Sequence, residues 1–257
     1  MKNLSTLAIV LLLCACAKGA RRFETAFLDR ETVRWTLQQE VEWASRYALE
    51  PSTGTPGFRF LPGSARVLVV AGHATAHMRE GRVKVADAGT ASLALALNRV
   101  AKAPVLLTDH LSASDPNYED GSAFKSRLAE LVGELKPVLV LDLHMSDASR
   151  PYDIDFGSAR GESLLGREDL LKALASRLKR AGMRNFSRDY FPGAKQKTVS
   201  RWVSGLGVPC VQCELNEVWL APPEAPVDPV RTHNLAQTIE GFTRFIRGLD
   251  APSSAGR

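Results

Sequence analysis

Residues 66–91 of this chain, RVLVVAGHATAHMREGRVKVADAGTA, contain a short apolar run that ends abruptly in glycine, histidine and charged residues. The run VLVV at residues 67–70 is β-branched and too short for an isolated helix. It therefore predicts a buried strand that delivers His73 to the loop that follows. Because ligands and catalytic groups collect at the carboxyl ends of strands in open α/β sheets, this stretch predicts a functional site there.

Two later apolar runs end in residues of the same kind. Residues 138–144, VLVLDLH, finish in His144, and residues 208–215, VPCVQCEL, carry Glu214 near their end. If the three strands are neighbours, two imidazoles and a carboxylate share one edge of the sheet. Zinc hydrolase sites use about three protein ligands from His, Asp or Glu and keep an open position, so the pattern favours a metal site.

The remaining sequence alternates between strand and helix patterns. Helices are predicted at residues 90–100, 122–135, 168–181, 197–204 and 230–247, and further strands at residues 104–108 and 154–156. This alternation predicts an α/β fold, a three-layer α/β/α arrangement with a mostly parallel or mixed central sheet. We expect a catalytic domain at residues 64–249. Residues 17–63 precede this domain and comprise a tether, a helix at residues 29–49 and a loop rich in proline and glycine. A disordered tail at residues 250–257 follows the domain.

Composition narrows the possible classes of function. The chain is 45% hydrophobic and 24% charged, which is the balance of a protein that buries one sizeable core. The formal net charge is +5, but the basic residues are scattered and are not interleaved with aromatic residues. Nucleic acid is therefore not an expected partner.

The first residues have the features of a bacterial export signal. Lys2 supplies a positive start, and residues 4–15 form an apolar stretch shorter than a membrane span. Residues 13–16, LCAC, resemble the lipoprotein box, which implies that a signal peptide at residues 1–16 is removed and that Cys16 carries a lipid anchor. The alternative is an ordinary signal cleaved downstream, for example after Ala20, which would leave a soluble periplasmic or secreted protein. Both alternatives take the protein out of the cytoplasm, and the lipid anchor would keep it in the periplasm, attached to a membrane of the bacterial cell envelope.

The third metal ligand is open on local pattern alone. His77 and Glu80 have the His-x-x-Glu spacing that can serve zinc, although four-residue matches arise easily by chance. Asp87 competes with them, because it precedes the helix predicted from residue 90. A helix cap is the structural alternative for Asp87.

The order of several short motifs resembles the N-formylglutamate amidohydrolase family, whose fold is similar to that of zinc carboxypeptidases. The motifs are Gly72-His73, Arg79, Gly81, Lys84, Asp87, Asp115-Pro116-Asn117-Tyr118, Asp142-Leu143-His144 and Glu214-Leu215-Asn216. The resemblance implies that one zinc ion is held by His73, Asp87 and His144, and that His77 and Glu80 fall in a variable loop. The chain departs from the family by having Ala71-Gly72 rather than a proline before His73, and Met145 rather than a glycine after His144.

Further roles follow from these positions. Glu214 is the expected general base, because a carboxylate near a zinc-bound water can accept its proton and pass it to the leaving amine. A structural role is the alternative, and it would require a cationic partner, since an unpaired carboxylate on an apolar strand is costly to bury. Asp142 lies on the same strand face as His144 and either accepts its second N–H as an outer ligand or caps a loop. We expect Arg79 and Lys84 to act as catalytic cations and Arg82 and Asn117 to bind substrate. Solvated loop residues are the alternative for the three cations, and a turn is the alternative for Asn117.

These features together predict an exported, zinc-dependent amidohydrolase that acts on an N-acyl amino acid or a small peptide. Formylglutamate is the namesake substrate of the family, whereas a cell-wall peptide suits the envelope better. The alternative is a non-catalytic envelope protein that keeps the fold for ligand binding or assembly. The chain contains no Gly-x-Ser-x-Gly motif, which disfavours a serine hydrolase. Cys210 and Cys213 are expected to be buried thiols.

Overall fold

The structure is a computed structural model that describes residues 27–193, 197–224 and 226–250. The export signal, Cys16, Ala20 and the tail after residue 250 lie outside these residues. Within the described residues, no helix combines the length and the apolar character that crossing a bilayer requires.

A seven-stranded mixed sheet forms the centre of the molecule, in the order β1-β5-β2-β6-β9-β7-β8. Its strands are β1 (Phe58–Leu61), β2 (Val67–Ala71), β5 (Val105–Thr108), β6 (Leu139–Ser146), β7 (Ile154–Gly157), β8 (Phe186–Arg188) and β9 (Cys210–Asn216). Strands β5, β2, β6 and β9 are parallel to one another, whereas β1 and β7 pair antiparallel with β5 and β9. The predicted α/β fold with a mostly parallel or mixed sheet is confirmed.

Helices cover both faces of this sheet. They are α1 (Arg30–Ala44), α2 (Thr90–Ala101), α3 (Ala123–Leu135), α4 (Glu168–Ala181), α5 (Val199–Gly205) and α6 (Pro229–Asp250), with short 3-10 turns at Ala159–Leu164 and Glu217–Trp219. Strand β2 is completely buried, and its alternate residues enter two separate core clusters, Val67 and Val69 on one face and Leu68 and Val70 on the other. A strand buried on both faces has a continuous apolar sequence, which is why the apolar residues 67–70 predict a buried strand.

The core side of α1 differs from the predicted one. The sequence spacing favours a face of Val33, Leu37, Val41, Ala44 and Ala48, but the helix ends at Ala44 and Val41 is 45% exposed. The buried residues are instead Thr32, Val33, Thr36, Glu40 and Trp43. The cost of burying Glu40 is partly offset because its Oε1 accepts hydrogen bonds from the Gly89 amide and the Tyr47 hydroxyl, and burial still raises the pKa of this carboxyl group. The prediction that the helix starts after Asp29 is correct, since the Asp29 carboxylate accepts from the Thr32 amide.

Two segments expected to be loops contain strands. The proline- and glycine-rich residues 51–63 include β1, which pairs with β5 at the sheet edge. The charged residues after His73 form a separate hairpin of β3 (His77–Arg79) and β4 (Arg82–Lys84). Cys210 and Cys213 are free, buried thiols in the two different core clusters, as the strand alternation predicts.

Candidate active site

Three neighbouring parallel strands bring the predicted histidines and glutamate to one edge of the sheet. His73 follows the end of β2, while His144 lies on β6 and Glu214 lies on β9. Strand β6 lies between β2 and β9, and the Cα atoms of His144 and Glu214 are partners in its register with β9. The sheet therefore assembles residues that are 141 positions apart in the chain.

Asp87 joins the two histidines at this edge. Its Oδ2 lies 2.8 Å from His144 Nδ1 and 3.5 Å from His73 Nδ1. The backbone holds the aspartate in place, because the Asp87 amide donates to the His73 carbonyl. The Asp87 side chain does not cap α2, whose first turn instead follows Gly89 in the left-handed conformation. The carboxylate is consequently free to face the imidazoles.

This donor set fits a divalent cation such as zinc. One ligand atom each from His73, Asp87 and His144 lies within 4.8 Å of the other two, and imidazole nitrogens with a carboxylate are the usual zinc ligands. The alternative His-x-x-Glu pair does not form, because Glu80 accepts from the Tyr118 hydroxyl at the surface. His77 belongs to a second group with His73 and Asp115, which uses the opposite ring nitrogen of His73.

A buried carboxylate contacts the Nε2 atom of each of the two histidines. Asp142 Oδ2 lies 3.1 Å from His144 Nε2, which is the geometry of the outer-ligand alternative for Asp142. Asp115 Oδ1 lies 2.9 Å from His73 Nε2. An Nε2–H donated to a carboxylate leaves the Nδ1 lone pair available for a metal.

The pairing with Asp115 was not predicted, because Asp-Pro-Asn-Tyr reads as a turn. The available signal was its position after β5, at the same sheet edge. Gly72 allows the Asp115-Pro116 segment to lie close to the backbone that precedes His73, since a Cβ at residue 72 would lie 2.9 Å from Pro116 Cγ.

The cluster stabilises charge on its acids and its imidazoles. Burial alone would raise the pKa of Asp87, but hydrogen bonds and charge from His144 and His73 hold that pKa well below its usual range. Burial likewise would lower the pKa of His144, yet Asp142 and Asp87 raise it well above 6.5. Asp87 therefore stays ionised at neutral pH and His144 stays protonated, so a metal ion that binds here would displace the proton from the imidazole.

Glu214 has the properties of a proton-transfer group. Burial raises the pKa of Glu214 to about 7, with the neighbouring charge of Asp87 acting in the same direction and His144 opposing it. Gln212, two residues earlier on β9, orients the carboxyl group by donating from Nε2 to Glu214 Oε1 at 2.7 Å. A carboxyl that titrates near neutrality, next to a candidate metal site, is a candidate general base.

A cavity of about 640 Å³ opens in front of these residues. Its floor includes His73, His144 and Glu214, and residues 189–193 form one wall. The buried Asp155 shapes this wall, because its carboxylate accepts from the Tyr190 amide at 3.1 Å and the Phe191 amide at 2.9 Å. The cavity is large enough for a small amide.

The predicted cations divide between the cavity and the surface. Arg79 lines the cavity, but its guanidinium is paired with the buried Asp115. Arg82 and Lys84 are exposed on β4 and are not among the residues that line the cavity, so their expected catalytic and substrate-binding roles stay predictions. Strand β3 of the hairpin contacts the rest of the protein through an isolated β-bridge between His77 and Ser112.

Asn117 lines the cavity, and its Oδ1 accepts from the Val199 amide at 2.8 Å, which fixes the side chain at the start of α5. Its Nδ2 lies 3.0 Å from His144 Nε2, and it cannot donate there while that nitrogen carries the hydrogen donated to Asp142. The substrate-binding role of Asn117 stays a prediction.

Comparison with known proteins gives information about the fold. No family model and no curated protein matches this chain. Among solved structures, N-formylglutamate amidohydrolase from Ralstonia eutropha JMP134 matches with a TM-score of 0.56 and 14% identity, covering 76% of this chain and 99% of that one. Bacteriophage poly-γ-glutamate hydrolase matches at a TM-score of 0.48 and 12% identity, covering 77% of this chain and 93% of that one. Succinylglutamate desuccinylase from Chromobacterium violaceum matches at 0.47 and 15% identity, covering 84% and 77%. The fold of this chain is therefore similar to that of N-formylglutamate amidohydrolase, which confirms at the level of the fold the resemblance that the sequence motifs indicate.

Proposed function

We propose that this protein is a metal-dependent amidohydrolase, with one zinc ion as its cofactor, that cleaves the amide bond of an N-acyl amino acid or a small peptide. The observation that carries the proposal is the convergence of His73, Asp87 and His144 beside Glu214 at the floor of one cavity. The opposite nitrogen of each imidazole is held by a buried carboxylate, which is the arrangement that metal-binding histidines normally have.

His73, Asp87 and His144 are the residues that would hold the ion. A divalent cation bound there lowers the pKa of water and polarises an amide carbonyl. Glu214 accepts the proton of the attacking water and then donates it to the nitrogen of the leaving amine. Its pKa of about 7 suits both transfers, because the carboxyl group neither holds nor releases the proton too strongly at neutral pH.

Arg79 supports the reaction from the side of β3. Its Nε and Nη2 contact Asp115, which in turn holds His73. A guanidinium carries five N–H donors, so others are available to the oxygen of the amide as negative charge develops on it. Arg79 therefore links the orientation of a metal ligand to the stabilisation of the reacting carbonyl.

The test combines metal analysis with a substrate screen of N-acyl amino acids, N-formylglutamate among them, and short cell-wall peptides. We expect one zinc per purified chain and a hydrolysis that a chelator abolishes and added zinc restores. Glu214→Gln should retain zinc and lose turnover, whereas Glu217→Gln, its neighbour after β9, should keep both. A protein that neither retains zinc nor hydrolyses any member of the screen would instead favour a non-catalytic envelope protein.

Export and lipid anchoring at Cys16 belong to the same proposal. The support is the sequence alone: an apolar segment that runs into the cysteine of a lipoprotein-like box. In the native host, we expect metabolic labelling with a fatty acid to mark the wild-type chain and the Cys14→Ser control but not Cys16→Ser. Labelling of Cys16→Ser, or a mature chain that begins after Ala20, would refute the anchor and leave a soluble exported protein.

A further inference from the structure

The catalytic cavity meets a second, smaller cavity at the side chain of Met145. This methionine lines both the catalytic cavity of about 640 Å³ and a neighbouring cavity of about 230 Å³. Among residues 27–193, 197–224 and 226–250, no other residue lines both. The second cavity borders the candidate metal site, because Ala88, which directly follows Asp87, forms part of its wall.

Strand β6 fixes the position of Met145 between these two spaces. Met145 directly follows His144, so strand alternation turns the two side chains to opposite faces of the sheet. The Cα of Met145 pairs with that of Leu215 on β9, and the half-buried side chain packs against the core cluster that contains Leu215. Met145 therefore lies beside the metal site without being one of its ligands.

The far wall of the second cavity is stiff, whereas Met145 is flexible. Residues 217–224 supply most of this wall, including Pro222 and Pro223, whose rings fix the backbone φ angle. The same segment packs closely on Gly89, since a Cβ at residue 89 would lie 2.6 Å from Leu220 Cβ. Methionine is unbranched and has three rotatable bonds. The barrier between the cavities is thus a single adaptable side chain, which can be removed without moving the backbone.

The second cavity suits a neutral chain. Ala88, Ala221 and the two prolines give it apolar surface, and its charged residues are Glu217, Glu224 and Arg231. Arg231 Nη2 donates to the backbone carbonyl of Glu217 at 2.9 Å. Two carboxylates against one guanidinium leave an excess of negative charge, which disfavours a group that ends in a carboxylate.

The proposed chemistry indicates which part of the substrate lies next to Met145. Glu214 on β9 donates a proton to the leaving nitrogen, so the amine portion lies on the side of β9. The acyl portion then lies toward Asp87, whose neighbour Ala88 lines the second cavity.

We propose that Met145 sets the length of the acyl group that this protein accepts. The methionine side chain confines the acyl group to the catalytic cavity, so the substrates are amides of short acyl groups. Removal of the side chain beyond Cβ joins the two cavities and admits a longer, unbranched neutral chain. The proposal rests on the proposed amidohydrolase function and specifies the acyl part of its substrates.

The kinetic test uses N-formyl-, N-acetyl-, N-butanoyl- and N-hexanoyl-glutamate with the zinc-loaded protein. For the wild type, we expect kcat/KM to fall steeply beyond the acetyl group. Met145→Ala should raise kcat/KM for the hexanoyl substrate by about 10- to 60-fold, since each newly buried methylene strengthens binding about fourfold. Met145→Leu conserves the volume and should keep the wild-type limit. Met78→Ala is the matched control, because Met78 lies on β3 and lines neither cavity.

A binding measurement tests the same limit without turnover. Acetohydroxamate and hexanohydroxamate both chelate zinc and differ only in the length of the acyl chain. In calorimetry with the zinc-loaded protein, Met145→Ala should bind hexanohydroxamate about 10- to 60-fold more tightly than the wild type and Met78→Ala do. A crystal structure of metal-free Met145→Ala should show one continuous space in place of the two cavities.

These measurements separate the inference from the proposed function. Hydrolysis with the same chain-length profile in the wild type and Met145→Ala would overturn the role of Met145 and leave the hydrolase intact. Tighter hexanohydroxamate binding to Met145→Ala, in a protein that cleaves none of the amides, would support the barrier and refute the hydrolase. Two cavities that stay separate in the crystal structure of Met145→Ala would overturn the inference whether or not the protein binds zinc.

Discussion

His144 and Glu214 are directly opposite each other on the adjacent parallel strands β6 and β9. One is a candidate metal ligand and the other a candidate general base, so two central strands of the sheet, rather than mobile loops, set the distance between them. Functional groups carried on regular elements are positioned more accurately than groups carried on loops. The sheet register is thus part of the catalytic geometry.

Replacement of Asp87 by Asn tests the metal site. The amide keeps the size of the side chain but removes the negative charge that faces both histidines. We expect zinc affinity, measured by competition with a chromogenic chelator, to fall by about 100-fold or more, since loss of an outer partner alone costs about 10- to 100-fold. Glu80→Gln is the control, and an affinity loss in Glu80→Gln that matches the loss in Asp87→Asn would restore the His-x-x-Glu alternative.

The buried Asp115 should affect zinc binding without touching the ion. Asp115→Asn weakens the acceptor of His73 Nε2, so we expect zinc affinity to fall by about 10- to 100-fold. Asp109→Asn provides a comparison, because Asp109 pairs with His110 outside the cavity. Equal zinc affinities for the two variants would show that Asp115 has only a structural role.

Glu214 should make the stability of the metal-free protein depend on pH. Burial raises its pKa from 4.5 to about 7, so the folded state binds this proton more tightly than the unfolded state does. The resulting stabilisation is fully present below pH 4.5 and is lost as the pH rises through 7. The free energy of unfolding of the wild type, minus that of Glu214→Gln, should therefore fall across this window by up to about 3 kcal/mol.

Urea denaturation at several pH values, with a chelator present throughout, measures this difference. Subtraction of the variant removes the contributions of Asp87, Asp115 and other groups with lowered pKa values, which change stability in the opposite direction. A difference that stays constant between pH 4.5 and 7.5 would show that the Glu214 carboxyl is not perturbed by burial.

Tyr47 and Glu40 support the segment that carries Asp87. Glu40 is fully buried, and its Oε1 accepts from Tyr47 and from the amide of Gly89, two residues after Asp87. Tyr47→Phe leaves the buried carboxylate short of one donor, and we expect a loss of about 1–3 kcal/mol in the free energy of unfolding. The Tyr118–Glu80 pair is exposed, so Tyr118→Phe should cost less than about 0.5 kcal/mol. Equal losses in the two variants would contradict a special role for the buried pair.

The sequence predicted the parts of the site that depend on buried parallel strands. Residues 67–70 and most of residues 138–144 are apolar, as expected of strands that are covered on both faces. The point at which each apolar run ends therefore indicates His73 and His144. Asp142 was placed beside His144 by simple strand alternation. These inferences need only local periodicity and the rule that parallel strands present their carboxyl ends at one edge.

The remaining features depend on contacts that local patterns do not encode. Arg82 and Lys84 follow His73 closely in the chain, but a hairpin carries them to the surface. Glu40 breaks the apolar spacing of α1 because its partners, Tyr47 and Gly89, come from outside the helix. The place of Arg160 in the wall of the catalytic cavity was not predicted, because it depends on a turn held by an aspartate 29 residues later. Long-range polar contacts of this kind require the three-dimensional structure.

The position of β9 between β6 and β7 has a consequence for biosynthesis. Strand β9 is the last of the sheet to be made, yet it separates two strands that precede it in the chain. A nascent polypeptide that ends before residue 210 carries both histidines and Asp87 but has neither the strand that bears Glu214 nor the strand against which β7 pairs. Competence for proton transfer can therefore arise only after residue 216 has been made, which is later than the synthesis of all three candidate metal ligands.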